Sequence, residues 1–483
     1  MTISGALSNA MSGLQAASRA TQIISSNLSN ALTEGYGVRS LQLSSQATGG
    51  NGGVRVDGVM RNVDPVVVGD RQLSSAQYEN RRATLDFMSN LERLVGVPGQ
   101  EGALTQQIAN FESSLITAAS RPDATDRLET AVNSAKNLAN TINKASSGIQ
   151  DQRSRADNAI SSQVKRLNDA LSELELVNSQ VASARIGGKS DAAYLDNRQK
   201  LVDDISKIVP VKSVPRSNGG VALFTTGGAI LIDGSAAEIG FEPANLISYG
   251  MTLAAGDLSG LMLSGRAIKT GSEDGALRGG SLSAQFEIRD QLAPDAQNQL
   301  DAVARDIVER FETFAPIVGG VTQAGLFTDN GNSFDDLNET GLAGRIEVNQ
   351  IVDVNQGGAT WKIRDGLDAI VPGEVGDATL LQAMGDALNF ARTPWSGGFG
   401  SGSFSALNLS TTMLSVWASD QLNAEQALSF TATQLTELTQ LELADGVDTD
   451  AELQRLILIE QTYAANALMI KTVDEMMQAL LRI

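Results

Sequence analysis

An apolar stripe with heptad spacing runs along each end of this 483-residue chain, and the two stripes constrain the fold more than any other feature. In the N-terminal stripe the spacing alternates between four and three residues for about four heptads, which is typical of a helix that packs along a partner helix. Its apolar members are Ile3, Leu7, Ala10, Leu14, Ala17, Ile24, Leu28 and Ala31, and Thr21 is its one polar member. The sequence therefore predicts a long N-terminal helix with one face that packs against another helix.

The C-terminal stripe follows the same spacing. Its members are Leu456, Ile459, Tyr463, Asn466, Ile470, Val473, Met477 and Leu480. A polar asparagine inside such a stripe commonly fixes the register and the number of partner helices, at some cost in stability. Residues 411–443 have the pattern of another long helix, and the turn at 444–450 offers Asp448 or Asp450 as the N-cap of the last helix. We therefore expect a helical hairpin at the C-terminal end.

Two interpretations of the stripes are open: they bury against their own domain, or they pack end to end against each other and against other copies. The alanines of the N-terminal stripe bury little area, so that this helix alone cannot offset its ordering entropy. Both stripes lie at the extreme ends of the chain, and the N-terminal one lacks the charged flanks of a soluble coiled coil. These features favour the second interpretation, an intermolecular or end-to-end packing role for both stripes.

The composition excludes several classes of chemistry. The chain has no histidine and no cysteine, which removes histidine-based catalysis, thiolate nucleophiles, disulfides and ordinary zinc sites. Its formal net charge of −20 is carried by residues 51–450, because both ends are nearly balanced. Such an acidic surface is a poor partner for nucleic acid, whose phosphates require clustered Lys and Arg. We expect no catalytic residue, no cofactor and no nucleic-acid partner.

Local motifs add no binding site. Residues 187–190 (GGKS) resemble the end of a phosphate loop, but Ser183 replaces the first glycine of that motif and a helix precedes it. The acidic loop at 329–336 is either a weak cation site or a solvated loop, and we assign it no metal.

No basic segment followed by an apolar core opens the chain, and no apolar run approaches about 20 residues. A cleaved signal peptide and membrane insertion are therefore not expected.

The remaining periodicity predicts a mainly α protein, elongated, with an inserted β-containing part and with its two terminal helices paired as a coiled coil or helical bundle. Helices are predicted over about 70–115, 123–185 (capped by Asp123 or Thr125), 191–208, 283–315 and 377–391, and the clearest hairpin is 221–232.

Three discontinuous regions follow from this order of elements. The predicted terminal coiled-coil polymerisation domain combines 1–45 with 447–483. A long-helix body combines 46–210 with 281–325 and 400–446. Two small β-containing outer parts cover 211–280 and 326–399.

Several short motifs, in order along the chain, match one known group of proteins. Residues 8–14 (SNAMSGL), 26–30 (SNLSN) and 33–36 (TEGY) resemble the N-terminal signature shared by rod, hook and hook-associated proteins of the bacterial flagellum. Further motifs are similar to those of the FlgK-type hook-associated family; they lie at 54–64, 178–206, 279–314 and 463–476. A hook protein would lack the long helical block at 70–208.

The resemblance implies a structural adaptor for motility at the hook–filament junction, extracellular once the type III apparatus has exported it unfolded from the cytoplasm. It implies self-association in a ring or helical assembly, with the hook protein and the next junction protein as neighbours. It also implies a cytosolic export chaperone on the C-terminal stripe, from Leu456 to Leu480. Many relatives carry an outer β domain where this chain is short, between Phe327 and Ile346, so that domain is predicted to be reduced or absent.

Two alternatives remain beside this reading. The chain is another axial or secreted filament subunit, or, less favoured, a flagellum-associated cell-wall glycosidase. Carboxylate pairs for glycoside cleavage exist among 56 acidic residues, but nothing in the sequence nominates one pair.

Overall fold

The computed structural model describes residues 3–33, 35–45, 52–97, 99–244, 246–271, 274–318 and 321–482, so that the first residues of the predicted body, 46–51, lie outside it. The helices of this part are α1 Ile3–Ser29, α2 Pro65–Val95, α3 Leu104–Ser120, α4 Thr125–Ile186, α5 Ala192–Ile208, α6 Gly280–Glu287, α7 Ala293–Glu312, α8 Lys362–Asp365, α9 Thr379–Asn389, α10 Ala406–Ala444 and α11 Thr449–Leu481. Its strands are β1 Val38–Ser45, β2 Val54–Asn62, β3 Val211–Pro215, β4 Val221–Thr225, β5 Ile230–Asp233, β6 Ser235–Ala236, β7 Ile239–Gly240, β8 Leu261–Leu263, β9 Arg266–Ile268, β10 Ile317–Val318, β11 Val321–Thr322, β12 Phe327–Asp329 and β13 Ile346–Val348.

The mainly α fold with paired terminal helices is confirmed. Helices α1 and α11 lie along each other, although they come from opposite ends of the chain. Helix α10 runs back along α2, so that α10 and α11 form the predicted hairpin. Asp448 is the N-cap of α11, since its Oδ1 accepts hydrogen bonds from the backbone N–H of Asp450 and Ala451, each at 3.0 Å.

Helix α4, 62 residues long, is the common support of two hydrophobic cores. Its N-terminal half packs with α3, α7, the start of α10 and the segment that contains β12, β13 and α9. At the centre of this first core, the rings of Phe111, Phe311 and Phe327 lie with centroids 5.2 to 5.7 Å apart. The second core joins the C-terminal half of α4 to α5, α6 and the strands β3 to β8. These cores run across the predicted boundaries at 210 and 326, and the division into domains stays a prediction.

Two asparagines of α4 hold the inserted sheets against the helix. The side chain of Asn178 accepts from the N–H of Val221 at 3.0 Å and donates to its carbonyl at 2.9 Å. Asn168 makes the same pair of bonds with Ile239, at 2.8 and 2.9 Å. Each side-chain amide takes the place of a neighbouring strand, so the backbone groups of Val221 at the start of β4 and of Ile239 in the edge strand β7 are satisfied. The antiparallel sheets β3-β4-β5-β6 and β7-β8-β9 are thereby fixed in register on α4.

Two sequence-based predictions about helix ends are wrong. The helix predicted over 70–115 is two helices, because the chain turns sharply at Gly96, whose φ is +77°. A Cβ at Gly96 would lie 2.9 Å from the Cα of Ala103, so this close crossing requires glycine. The N-cap of α4 is neither Asp123 nor Thr125 but Ala124, which offers no side-chain cap.

A buried carboxyl fastens the segment after β12 to the first core. Asp301 of α7 accepts hydrogen bonds from the backbone N–H of Gly341 at 2.7 Å and Ala343 at 2.8 Å, and from Gln297 at 2.9 Å. Burial raises the pKa of Asp301 to about 6, and these donors limit the rise. The loop at 341–343 is therefore tied to α7 by a single side chain.

The aromatic cluster gives a test of the first core. Phe111→Ala removes a fully buried ring that contacts two other rings, and should lower the free energy of unfolding by about 3–5 kcal/mol. The matched control is Ile116→Ala on the same helix, where the side chain is 61% exposed and little should change. Urea denaturation followed by circular dichroism measures both, and equal losses would contradict this placement of the core.

Candidate assembly surface

One close contact between α1 and α11 joins a glycine to an asparagine. A Cβ at Gly13 would lie 2.8 Å from Nδ2 of Asn466, so the missing side chain makes room for the amide. Asn466 donates from Nδ2 to the carbonyl of Thr462 at 3.0 Å, which satisfies this group within its own helix. The polar member of the C-terminal stripe thus lies opposite the smallest residue of α1, and this pairing fixes one register of the two helices.

The N-terminal stripe is covered most in its middle. Ala10, Ala17 and Ile24 are buried, and Ile3, Leu7 and Leu14 are partly buried. Leu28 is exposed, and Ala31 lies in the turn after α1.

The C-terminal stripe is the side of α11 nearest to α1. Val473 is buried, and Leu456, Ile459, Asn466 and Ile470 are partly buried, whereas Tyr463, Met477 and Leu480 are about half exposed or more. A second apolar set remains uncovered, and we call it the outer face of α11. It comprises Leu453, Ile457, Leu458, Leu468, Met469, Met476 and Leu481.

Helix α11 is therefore apolar on more than one side, and in the described structure only Glu452 and Val473 of this helix are buried. A helix that is apolar all round is normally buried on all sides. The heptad spacing predicts the side of α11 that meets α1 but not the outer face, because a single heptad stripe accounts for only one side.

Asn27 explains why the end of α1 and the following segment carry a recognisable motif. It is fully buried, and its Oδ1 accepts from Tyr36 Oη at 2.8 Å and from the N–H of Arg39 at 3.0 Å. Its Nδ2 donates to the carbonyl of Arg39 at 2.9 Å. One amide thus holds the start of β1 against the last turn of α1, and the hairpin β1-β2 begins at a fixed angle to the helix.

A carboxylate on α5 anchors this hairpin to the body. Asp196 accepts from Arg39 Nη2 and from Arg61 Nε, both at 2.7 Å, and from the N–H of Gly37 at 3.1 Å. Arg61 also donates to the carbonyl of Gly35 at 3.0 Å and to Gln199. The two arginines come from β1 and β2, so a single acidic side chain holds both strands.

A second ionic cluster joins the body to the end of α10, where the chain turns into α11. Arg71 of α2 donates to Asp203 of α5 at 2.7 Å and to Glu442 of α10. Gln199 Nε2 also donates to Glu442, at 2.7 Å. Burial raises the pKa of Asp203, and the charge of Arg71 opposes the rise. The segments next to the terminal pair are thus fastened to α5: the hairpin after α1 through Asp196, and the end of α10, just before α11, through Glu442.

Three carboxylates of the acidic loop at 329–336 already have partners, two of them arginines and one a backbone N–H. Asp329 pairs with Arg345 at 2.7 Å, and Asp336 pairs with Arg305 at 2.7 Å. Asp335 accepts from the N–H of Leu337 at 3.0 Å. In the described part of the chain, no group of three or more acidic side chains is placed to hold a metal ion, and none of the helices there is apolar over a length that would span a bilayer.

Three family models match separate stretches of the chain. The model of the flagellar hook-associated protein FlgK helical domain matches residues 88–316. The model of the flagellar basal body rod FlgEFG protein C-terminal region matches 444–483, and the flagella basal body rod protein model matches 7–36. The last two stretches hold most of the terminal helices.

Named relatives agree with these models. The chain is 26% identical over 321 residues to flagellar hook-associated protein 1 of Escherichia coli, covering 64% of this chain and 57% of that protein. The Salmonella typhimurium protein of the same name is 28% identical over 289 residues, covering 57% and 51%. Against both, the chain spans little more than half of the relative's length. The Bacillus subtilis protein of the same name is 22% identical over 515 residues, covering 98% and 96%.

A solved structure, that of the flagellar hook junction protein FlgK from Burkholderia pseudomallei, aligns with a TM-score of 0.44 at 20% identity. It covers 55% of this chain and 47% of that one. The family models and the relatives support a FlgK-type protein.

The contact between Gly13 and Asn466 can be tested by cross-linking, because the chain has no cysteine of its own. The double variant Gly13→Cys, Asn466→Cys should form a disulfide within one chain on mild oxidation, since the Cβ positions are within bonding range. The control pair is Gly13→Cys with Leu468→Cys, which points to the outer face of α11. Non-reducing electrophoresis of dilute protein distinguishes them, and equal yields would contradict the register.

The anchor at Asp196 predicts a local loss of stability. Asp196→Asn weakens two charged hydrogen bonds and leaves two arginines without their partner. Amides of the β1-β2 hairpin should then exchange with solvent at least about tenfold faster, while those of α4 remain protected. Asp57→Asn in the same hairpin is the control, because its pair with Arg55 is exposed. Unchanged exchange in the Asp196 variant would show that the hairpin is held by other contacts.

Proposed function

We propose that this FlgK-type chain is a subunit of the junction between the flagellar hook and its filament, and that it polymerises through its terminal helices. The observation that carries this proposal is the outer face of α11, a set of large apolar side chains left in solvent by a single chain. Burial of such side chains contributes about 1.5–3 kcal/mol each. Packing of neighbouring subunits on this face would therefore offset the ordering entropy of the terminal helices.

The names of the relatives support the place in the flagellum. The proteins that match are called hook-associated, and the solved structure with partial similarity is called a hook junction protein. The hook protein and the next junction protein are proposed as axial neighbours. The chain would reach its extracellular place unfolded, through the flagellar type III apparatus.

The proposed chaperone surface has a structural consequence. The C-terminal stripe, from Leu456 to Leu480, faces α1 in the folded chain. A cytosolic chaperone bound to this stripe would therefore exclude the α1–α11 pair and keep the chain from assembling before export. Two partners would use one stripe in turn, first the chaperone and then α1.

The outer face of α11 is tested by a charge substitution in cells. Leu468→Asp should abolish motility and leave filaments unattached, because a carboxylate on this face opposes burial between subunits. Leu176→Asp on α4 is the matched control, since both leucines lie mid-helix and are 63% and 58% exposed. Swimming assays and electron microscopy in cells that lack the native protein measure the outcome.

Two checks make the comparison decisive. The variants must be secreted to equal levels, and their circular dichroism must match that of the parent chain. Normal motility of the Leu468→Asp variant would contradict polymerisation through this face, and loss of motility in both variants would point to a different surface.

A further inference from the structure

A loop near one end of the body carries apolar side chains that are almost fully exposed to solvent. We call residues 368–377 the knob. Within it Ile370 is 93% exposed, Val371 70% and Val375 60%. Contiguous apolar side chains of this size on a surface mark a contact with another protein.

The knob is held in shape by a buried ion pair. Arg364 and Asp365 lie side by side with two bonds of 2.7 Å, and both side chains are less than a tenth exposed. Asp365 accepts from the N–H of Gly373 at 2.9 Å, and Arg364 donates to the carbonyls of Pro122 at 3.1 Å and Val375 at 3.5 Å. The loop is thus fixed before any partner arrives, which lowers the entropic cost of docking.

Acidic side chains surround the apolar tip of the knob. Asp368, Glu374 and Asp377 are exposed, and none of them forms an ion pair with another described residue. A partner surface for the knob must therefore combine an apolar floor with positive charge.

A surface of this kind lies on the same chain, near the opposite end of α4. A cavity of about 570 Å³, which we call the groove, lies between the start of α2, α5 and β3. Its floor is apolar, with Pro65, Val66, Leu195, Val202, Val211 and Val221 among its lining residues. Its charged lining residues are Arg61, Arg198 and Lys212 against one carboxylate, Asp70, and Lys212 is exposed.

Arg198 lacks an acidic partner. It donates from Nη1 to the carbonyl of Gly219 at 2.8 Å, and no ion pair joins it to the rest of the described chain. Two nearby arginines are already neutralised, Arg185 by Asp191 and Arg61 by Asp196. Burial, followed by the charges of Arg185 and Arg61, lowers the pKa of Arg198 to about 10. A carboxylate that enters the groove would supply the missing countercharge.

A chain cannot place its knob in its own groove. The knob is tied to Pro122, just before α4 begins, whereas the groove residue Val221 is bonded to Asn178 near the end of α4. At about 1.5 Å per residue, the stretch of α4 from Thr125 to Asn178 spans about 80 Å. The two surfaces can meet only between different molecules.

We propose that the knob of one chain docks in the groove of a second copy, with Ile370 and Val371 on the apolar floor and the acids at 368 and 374 facing Arg198 and Lys212. This contact rests on the proposed function, because it requires subunits that associate. It joins two different surfaces, so it is head-to-tail and can propagate along a ring or a helix. It adds a second interface, at the body, to the one at the terminal helices.

Cross-linking between two differently tagged full-length chains tests the contact. Both carry Leu468→Asp, which weakens association through the outer face of α11. One carries Ile370→Cys and the other Ser213→Cys, which lies in the groove. A short bismaleimide should give mixed dimers from this pair, and few from Ile370→Cys with Leu176→Cys on α4. Equal yields from the two pairs, or no mixed dimer from the first, would overturn the proposal.

Charge reversal then separates docking from random collision. Lys212→Glu in the groove chain should lower the yield of mixed dimers at least about tenfold, the change that 1.4 kcal/mol produces. Glu374→Lys in the knob chain should restore it, and failure to restore it contradicts the pairing of these surfaces. If the contact fails while Leu468→Asp still abolishes motility and its control does not, the knob is wrong and the proposed function stands.

Discussion

The carboxylate of Asp196 is the interaction on which the arrangement of the molecule depends. It binds one arginine from each strand of the β1-β2 hairpin, and Asn27 in turn binds the first of these strands to α1. The direction in which the terminal pair leaves the body is thereby set by two short polar side chains. The Arg71 cluster joins the end of α10 to α5 in a similar way, so the segments that lead out of α1 and into α11 are both fastened to α5.

Much of the architecture was predictable from periodicity, because it follows from local patterns. The heptad spacing from Ile3 to Leu28 predicted α1, and the matching spacing from Leu456 to Leu480 predicted its pairing with α11. The break between α2 and α3 is also local, because Gly96, Pro98, Gly99 and Gly102 fall within seven residues. The helix predicted over 70–115 runs across this signal, and the close approach of Ala103 to Gly96 shows why the turn is needed there.

The candidate site was less accessible to sequence reasoning. Arg39 and Asp196 are distant in sequence, and nothing local selects Asp196 among so many acidic residues as the partner. Asn27 and Tyr36 stand out in the sequence only through their resemblance to a known signature, which carries no geometry. The exposure of the apolar side chains is equally hard to predict from sequence. An isoleucine such as Ile370 looks the same in the sequence whether the fold buries it or leaves it in solvent. These properties arise from long-range packing and require coordinates.

The unbroken length of α4 has a mechanical consequence. The helix contains no proline, and the place of the missing side chain of its one glycine, Gly148, is filled by Leu94 of α2. Kinks in long helices arise mostly at prolines and at Gly/Ser pairs. The one such place in α4, Ser147 with Gly148, packs against Leu94, and the helix runs unbroken through it from one core to the other. A torque or bending force applied near the terminal pair would therefore be transmitted along α4. The far end of the body would then rotate together with the terminal pair.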